Sequence, residues 1–248
     1  MEIGATIHSF SSCSSTNDLA REMAEKGEPE GTVVLCAEQT AGRGTKGRAW
    51  FSAAGKGLYL SIILRPGSPG LALIPLLAGV AVAEAVLESC GVRPGLKWPN
   101  DLVWEGKKLG GILSESSLTG ERVNFVILGI GLNLDHEAGD FPSEIKDVAI
   151  SLRMILGRPV AVDSFLPQLW RDLGRWYAHL GRRDSREIIE TFGRYSCIPL
   201  GAAIVVRTAS SDVQGVYAGL NERGGLVLEV EGRKATFYAA EIIALARR

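Results

Sequence analysis

Cysteine is scarce and scattered: Cys13, Cys36, Cys90 and Cys197 are four in 248 residues, with no CxxC pair among them. That spacing excludes a zinc knuckle or a disulfide framework and fits reduced thiols in a cytoplasmic protein. Histidine is scarcer still. His8, His136 and His179 stand at no spacing used by a metal site, and each is expected on the surface or half-buried. Charge of one sign is lacking too, since the net charge is −1. No broad field draws nucleic acid or an anionic membrane, so any anion chemistry rests on local clusters of Lys and Arg. The start, "MEIGATIHSF", has neither the basic segment nor the apolar core of a signal peptide. The most apolar stretch, "GLALIPLLAGVAVA" from Gly70, falls short of the ~20 residues that span a bilayer. It runs directly into Glu84 and Glu88, which marks a buried core helix. There is no internal repeat, low-complexity tract or charge block.

What is present is a soluble globular composition, 46% apolar and 22% charged, sufficient for one large domain or a large one with a small one. "SSTNDLAREMAEKG" reads as a short helix, with Ser15 or Thr16 to cap it, Leu19 and Met23 on one face and Gly27 at its end. The run Gly31–Gln39 reads as a buried strand, and "GLYLSIILRP" as a second strand ended by Pro66. Leu71 to Cys90 reads as a long core helix stopped by Gly91. "LVWEGKKLGGILSES" reads as a hairpin turning near Glu105-Gly106-Lys107, and "NFVILGIGLNL" as a strand whose Gly129 and Gly131 mark close backbone approach. Two amphipathic helices follow, about Asp163–Leu180 and Arg186–Tyr195. From about Pro199 the pattern changes to short alternating strands, "AIVVR", "VQGVYAGL", "GLVLEV", "KATFYAA" and "EIIALA", as in a small five-stranded barrel. The expected layout is an α+β catalytic domain over residues 1–198 and a β-domain over 199–248.

The stretch "AGRGTKGRAWF", residues 41–51, carries the densest chemistry. It fits the dinucleotide fingerprint GxGxxG and nearly fits a phosphate-binding P-loop. The first needs a helix opening inside the glycines and an acid about 20 residues on; here a strand follows, and that region holds Leu64, Arg65 and Pro66. The second needs a lysine at Arg48 and a hydroxyl at Ala49, which alanine cannot supply. What remains is a backbone free to wrap a ligand at Gly42, Gly44 and Gly47, interleaved with Arg43, Lys46 and Arg48 and closed by Trp50. That set suits a phosphate ester carrying a planar base. Equally, it is the composition of a mobile basic surface loop. "LKWPNDLVW" gathers Lys97, Asn100 and Asp101 around Pro99, as a ligand-facing turn or an ordinary one. "KKLGG" sets Lys107 and Lys108 before paired glycines that leave room for a ligand, although lysines beside a turn are commonly solvated.

Taken together these motifs resemble the biotin protein ligases, which biotinylate the acceptor domains of carboxylases. The resemblance rests on Gly42–Trp50, Lys97–Asp101 and Lys108–Leu113. It is extended by Ser15-Thr16-Asn17 and by the Gly129–Asn133 strand, all in the family's order over the first ~135 residues. It implies a mixed sheet with flanking helices, of the class II aminoacyl-tRNA synthetase type, and an SH3-like C-terminal barrel. It also implies two steps. The biotin carboxylate attacks the α-phosphorus of ATP to give biotinyl-5′-AMP and pyrophosphate, with Mg²⁺ carried on the ATP phosphates and no metal site in the protein. An acceptor lysine on a biotin carboxyl carrier protein then attacks the mixed anhydride.

Carried onto this chain, Arg43, Lys97, Asp101 and Lys108 become the catalytic candidates, with Lys108 bridging carboxylate and α-phosphate. Ser15, Thr16, Asn17 and Gln39 would read biotin's ureido ring. Gly42, Arg43, Gly44, Thr45, Lys108, Gly110, Gly111 and Ile112 would complete the biotin subsite, with Ile112 along the valeryl chain. Lys46, Arg48, Trp50, Lys97, Asn100 and Asn133 would hold ATP, Trp50 covering the adenine. An acceptor lysine of pKa ~10.4 is only ~0.1% neutral near pH 7.4, worth roughly 4 kcal/mol, which makes Asp101 the candidate base. Two departures stand out. The chain leaves no room before the Ser-Thr-Asn helix for the winged-helix repressor domain of some members, so no DNA binding is expected. Thr45 replaces an arginine of the usual loop, which implies looser retention of the adenylate. A homodimer is compatible with the resemblance, and no membrane association is expected. The rivals are a lipoate or octanoate ligase or transferase and a non-catalytic biotin- or nucleotide-binding regulator.

Overall fold

The computed structural model describes residues 2–67, 70–181 and 185–245. In chain order the elements are β1 (Ile7–Phe10), α1 (Thr16–Glu25), β2 (Val33–Cys36), β3 (Gly57–Leu64), α2 (Ile74–Cys90), β4 (Gly95–Lys97), β5 (Asp101–Trp104), β6 (Lys107–Thr119) and β7 (Arg122–Asn133). There follow α3 (Leu152–Leu156), α4 (Val162–Gly181), α5 (Ser185–Tyr195), β8 (Ala203–Arg207), β9 (Asp212–Leu220), β10 (Leu226–Val230), β11 (Arg233–Phe237) and β12 (Glu241–Leu245). The first seven strands form one mixed sheet, ordered β1-β2-β3-β7-β6-β5-β4, in which β1 and β2 run parallel and the other neighbours antiparallel. The last five form a separate antiparallel sheet, β11-β10-β9-β8-β12, consistent with an SH3-like unit.

Side-chain alternation along β3 divides the molecule into layers. Leu58, Leu60, Ile62 and Leu64 enter the main core with Val80, Ala81 and Val82 of α2 and Leu169 and Leu173 of α4. Ile63 faces the other way and packs with Ala20 and Ala24 of α1. Helix α2 is long and apolar enough to cross a membrane by composition, yet it is walled in by this core. It starts later than the pattern predicts: Leu71–Leu73 form a 3-10 turn and the α-helix begins at Ile74, with Pro75 in its first turn, where a missing N–H costs nothing. Gly91 closes it at φ 70°, as expected of a C-terminal glycine.

The other differences are short-range. The strand expected over Gly31–Gln39 is confined to Val33–Cys36, because Gly31 adopts φ 88° before it and Ala37 onward peels away from β3. The hairpin at Glu105-Gly106 forms as expected between β5 and β6. Strand β1, strand β4 and the five-residue α3 carry too little pattern to be read. Ala246, the last residue of the final predicted strand, lies outside the described residues. His136, expected at or near the surface, is fully buried.

Candidate active site

On the α1 face of the sheet the chain removes side chains where they would otherwise stand. Gly131 pairs with Tyr59 on one side and Gly111 on the other, and Gly129 pairs with Ser61. Alternation therefore leaves a bare strip of backbone on that face. A Cβ on Gly131 would lie 2.5 Å from Trp50 Cε2, and one on Gly129 would collide with Asn17 Oδ1. The expectation of close approach at these two glycines holds, and the groups that approach are Trp50 and Asn17.

Lys108 reaches the same face through a break in register. Between β5 and β6, Leu102 pairs with Gly110 and Val103 with Lys108, so Leu109 is an extra residue, a β-bulge. Leu109 is buried in the main core. Without the bulge, alternation would send Lys108 into that core; with it, Nζ lies 3.6 Å from where a Gly111 Cβ would be and 5.6 Å from the centre of the Trp50 ring. Asp101, at the start of β5, holds Lys108 Nζ at 2.6 Å.

The loop of residues 42–50 folds over this strip as a small closed arch. Trp50 N donates to Gly42 O at 2.8 Å and Gly44 N to Arg48 O at 2.7 Å. Gly42 is required where the two feet meet, because a Cβ there would lie 2.6 Å from Trp50 O. No helix follows, only a 3-10 turn over Thr45–Gly47 in which Lys46 takes φ 58°. The loop cations are paired. Arg43 contacts Asp18 at 2.7 Å and Glu115 at 3.4 Å, while Lys46 and Arg48 both reach Glu241 on β12, at 3.2 and 2.7 Å. Burial pushes the Glu241 carboxyl up, but its bonds to Arg48 and Lys46 outweigh that and leave it below the ordinary range.

Two cavities meet at Trp50 and Lys108. The first, about 40 Å³, is contracted beneath the arch and lined by Ser15, Thr16, Asn17, Gln39, Arg43 and Thr45 over the Gly111–Gly131 strip. At roughly 10–15 Å³ per water it has room for only a few waters, so a bicyclic ligand enters only if the arch lifts. Its floor is polar: Thr16 N donates to Gln39 Oε1 at 2.8 Å and Gln39 Nε2 to Ser52 Oγ at 2.9 Å. Ser15 occupies the cap position of α1 but its side chain makes no capping bond. Gln39, from a distant strand end, takes the free N–H of the first turn instead. The second cavity, about 220 Å³, is bounded by Trp50, Phe51, Phe141 and Ala149, with Thr45, Arg48, Lys108 and Asn133 as its polar residues. Asn133 donates to Ile150 O at 3.0 Å.

Several predicted site residues stand elsewhere. Lys97 pairs with Asp101 across the β4–β5 turn and lines neither cavity. Lys46 stands on the outer end of the arch, and Gly110 faces the core, where a Cβ would meet Gly131 O at 2.9 Å. Ile112 borders the first cavity but is one of the main-core residues. Asn100 lines the first cavity rather than the second and donates to Ile112 O at 2.8 Å. Asp18, Glu115, Ser61 and Glu241 were missed. Ser61 alone carried a signal, as a polar residue inside an otherwise apolar strand.

The known proteins similar to this chain converge on one kind of catalyst. Residues 9–133 match the biotin/lipoate A/B protein ligase family. The chain is 35% identical over 231 residues to the bifunctional ligase/repressor BirA of Bacillus subtilis, covering 92% of this chain and 71% of that one. It is 33% identical over 239 residues to the biotin–[acetyl-CoA-carboxylase] ligase of Paracoccus denitrificans, covering 92% and 96%. Its fold superimposes with a TM-score of 0.85 on a biotin protein ligase from Aquifex aeolicus solved with biotin and ATP, at 28% identity over 98% of this chain and 100% of that one. The sheet, the glycine strip and the basic arch thus define a ligase of carboxylic acids to protein lysines. The chain belongs to the biotin/lipoate A/B protein ligase family.

Proposed function

We infer that this protein is a biotin protein ligase: it joins biotin to AMP at the expense of ATP and passes the biotinyl group to a lysine of a biotin carboxyl carrier protein. The observation that carries the reading is the pair of cavities meeting at Lys108 and Trp50, one with a hydrogen-bonding floor and one with aromatic walls. A cyclic urea suits the first, and a nucleobase the second. The reacting carboxylate and α-phosphate then meet at Lys108, whose ammonium offsets the repulsion between two anions where charge builds in the transition state.

Arg43 borders the first cavity and Arg48 the second, and both supply cations from the arch to the phosphate oxygens that meet at this junction. Mg²⁺ arrives with the ATP phosphates. Asp101 orients Lys108 in the first step and takes the proton of the acceptor lysine in the second. Thr45, at the tip of the arch, puts a short neutral side chain above the adenylate. The separate five-stranded sheet supports a division into a catalytic domain over 1–198 and a β-domain over 199–248. The exposed edge of β1, with Ile7 and Phe10 exposed, is where a second copy could extend the sheet. The scattered free cysteines and the use of ATP support a cytoplasmic location.

The test is ATP–pyrophosphate exchange with biotin, lipoate or octanoate as the acid. Exchange is expected with biotin alone, and a preference for either other acid would move the protein to the lipoate branch of the family. In the same assay Lys108→Ala should cut exchange by roughly 100-fold or more while ATP affinity changes little. Near-normal exchange would remove Lys108 from the chemistry.

A further inference from the structure

The floor of the first cavity is a single chain of hydrogen bonds that ends on one anion. Asn17 Nδ2 donates to Glu115 Oε2 at 2.6 Å. Asn17 Oδ1 lies 2.5 Å from Ser61 Oγ, which lies 2.8 Å from Thr16 Oγ1. Thr16 in turn meets Gln39 Oε1 through its N–H at 2.8 Å and its hydroxyl at 3.1 Å. An ionised carboxylate only accepts, so the amide of Asn17 must turn its NH₂ to Glu115 and its oxygen to Ser61. Ser61 has one proton, and Asn17 Oδ1 takes it. The Thr16 hydroxyl then donates to Ser61 or to Gln39.

The same carboxylate meets the arch. Its Oε2 lies 3.4 Å from Arg43, and its Oε1 lies 3.7 Å from Arg21. Glu115 itself is not among the residues lining either cavity. It sits two positions beyond Leu113 on β6, on the same face as Gly111 and Leu113, and half-buried.

We propose that Glu115 is a positioning residue for biotin recognition: acting through Asn17, it fixes the direction of the Asn17 and Ser61 hydrogen bonds in the floor that receives the ureido group. The proposal rests on the biotin reading above. A urea carries one acceptor and two donors in fixed places, so it is held only by a floor whose donors and acceptors do not reverse. A side-chain amide is free to reverse; the carboxylate at 2.6 Å removes that freedom from Asn17.

The experiment is pyrophosphate exchange and biotin titration on Glu115→Gln, Asn17→Ala and the double variant. Glutamine keeps the shape but can present either end of its amide, so the direction is no longer enforced. KM for biotin should rise roughly tenfold, the loss expected for one mispaired buried polar group, with KM for ATP and kcat within about twofold. In the Asn17→Ala background Glu115→Gln should add nothing. Equal losses for biotin and ATP, independent losses in the double variant, or unchanged biotin affinity would each overturn the proposal. If Glu115→Gln does not fold, Ser61→Ala breaks the next link without altering charge and must show the same biotin-specific loss. Failure of the biotin reading looks different: the wild-type protein would bind no biotin, and the proposal would fall with it.

Discussion

Gly131 shows what a single residue contributes. Its position in the motif Gly-Ile-Gly already implied close approach, but the approaching ring was not legible, because Trp50 lies 81 positions away in the sequence and meets Gly131 only after β7 has paired with β3. Gly131→Ala would push a methyl to within 2.5 Å of Trp50 Cε2. The indole cannot stay flat on the strip, and overpacking of this kind costs about 1–3 kcal/mol. The expected result is a lower melting temperature together with at least a tenfold loss of biotin-dependent exchange, since both cavities use Trp50 as a wall. A variant that melts lower but exchanges normally would show that Trp50 is packing alone. Lys108 teaches the opposite lesson. Its motif was legible, but simple alternation would have buried it, and only the bulge at Leu109 turns it to the ligand face.

At the scale of elements, the arch of residues 42–50 was legible as a ligand loop from its glycines and cations, and the absence of a following helix was read correctly. Where its cations go was not legible. Lys46 and Arg48 converge on Glu241, across 195 and 193 positions of sequence, so the C-terminal sheet holds the tip of the loop that covers the reacting groups. These are exposed pairs, and each is worth at most about 1 kcal/mol. Glu241→Ala should therefore leave thermal stability nearly unchanged while the arch opens more often. Trypsin cleavage after Lys46 and Arg48 reports this directly: it should accelerate in the variant, and biotin plus ATP should suppress it. An unchanged cleavage rate would mean that the feet of the arch, Gly42 and Trp50, hold it without help.

Across the whole molecule, His136 ties stability to pH. It is fully buried, stacked on Phe141 with ring centres 4.7 Å apart, and its Nε2 lies 3.3 Å from Tyr59 Oη. Tyr59 donates to Ala53 O at 3.1 Å, so His136 carries its proton on Nε2 and leaves Nδ1 as a buried acceptor with no partner among the described residues. Burial lowers its pKa from 6.5 to about 4. Because the folded pKa is the lower one, the unfolded chain takes up the proton first as pH falls. The contribution is complete above pH ~6.5 and is lost progressively down to pH ~4, on the order of 3 kcal/mol in all. Urea unfolding at pH 7.5, 5.5 and 4.5 should show this slope in the wild type and lose that part of it in His136→Phe. Parallel slopes in the two proteins would assign the acid loss to other groups. Phe51 and Phe141, which surround His136, also wall the second cavity, so nucleotide affinity should hold through this range and weaken only as pH nears 4, where His136 protonates in the folded protein.

The sequence by itself determined what short-range physics controls. Glycines and β-branched runs mark the strands that expose bare backbone, Gly91 stops α2, and the order of motifs places a basic loop before a glycine strip. It also excluded a dinucleotide fold and a P-loop, because each requires a helix that the residues after Phe51 do not form. Tertiary structure alone decided which way functional side chains point and what they meet. Lys108 depends on a register shift, Asn17 on a carboxylate 98 positions away, Thr16 on the amide of Gln39, and the arch on Glu241. Side-chain direction in a sheet reverses with each residue of register, and register is fixed only when distant strands pair over a shared core.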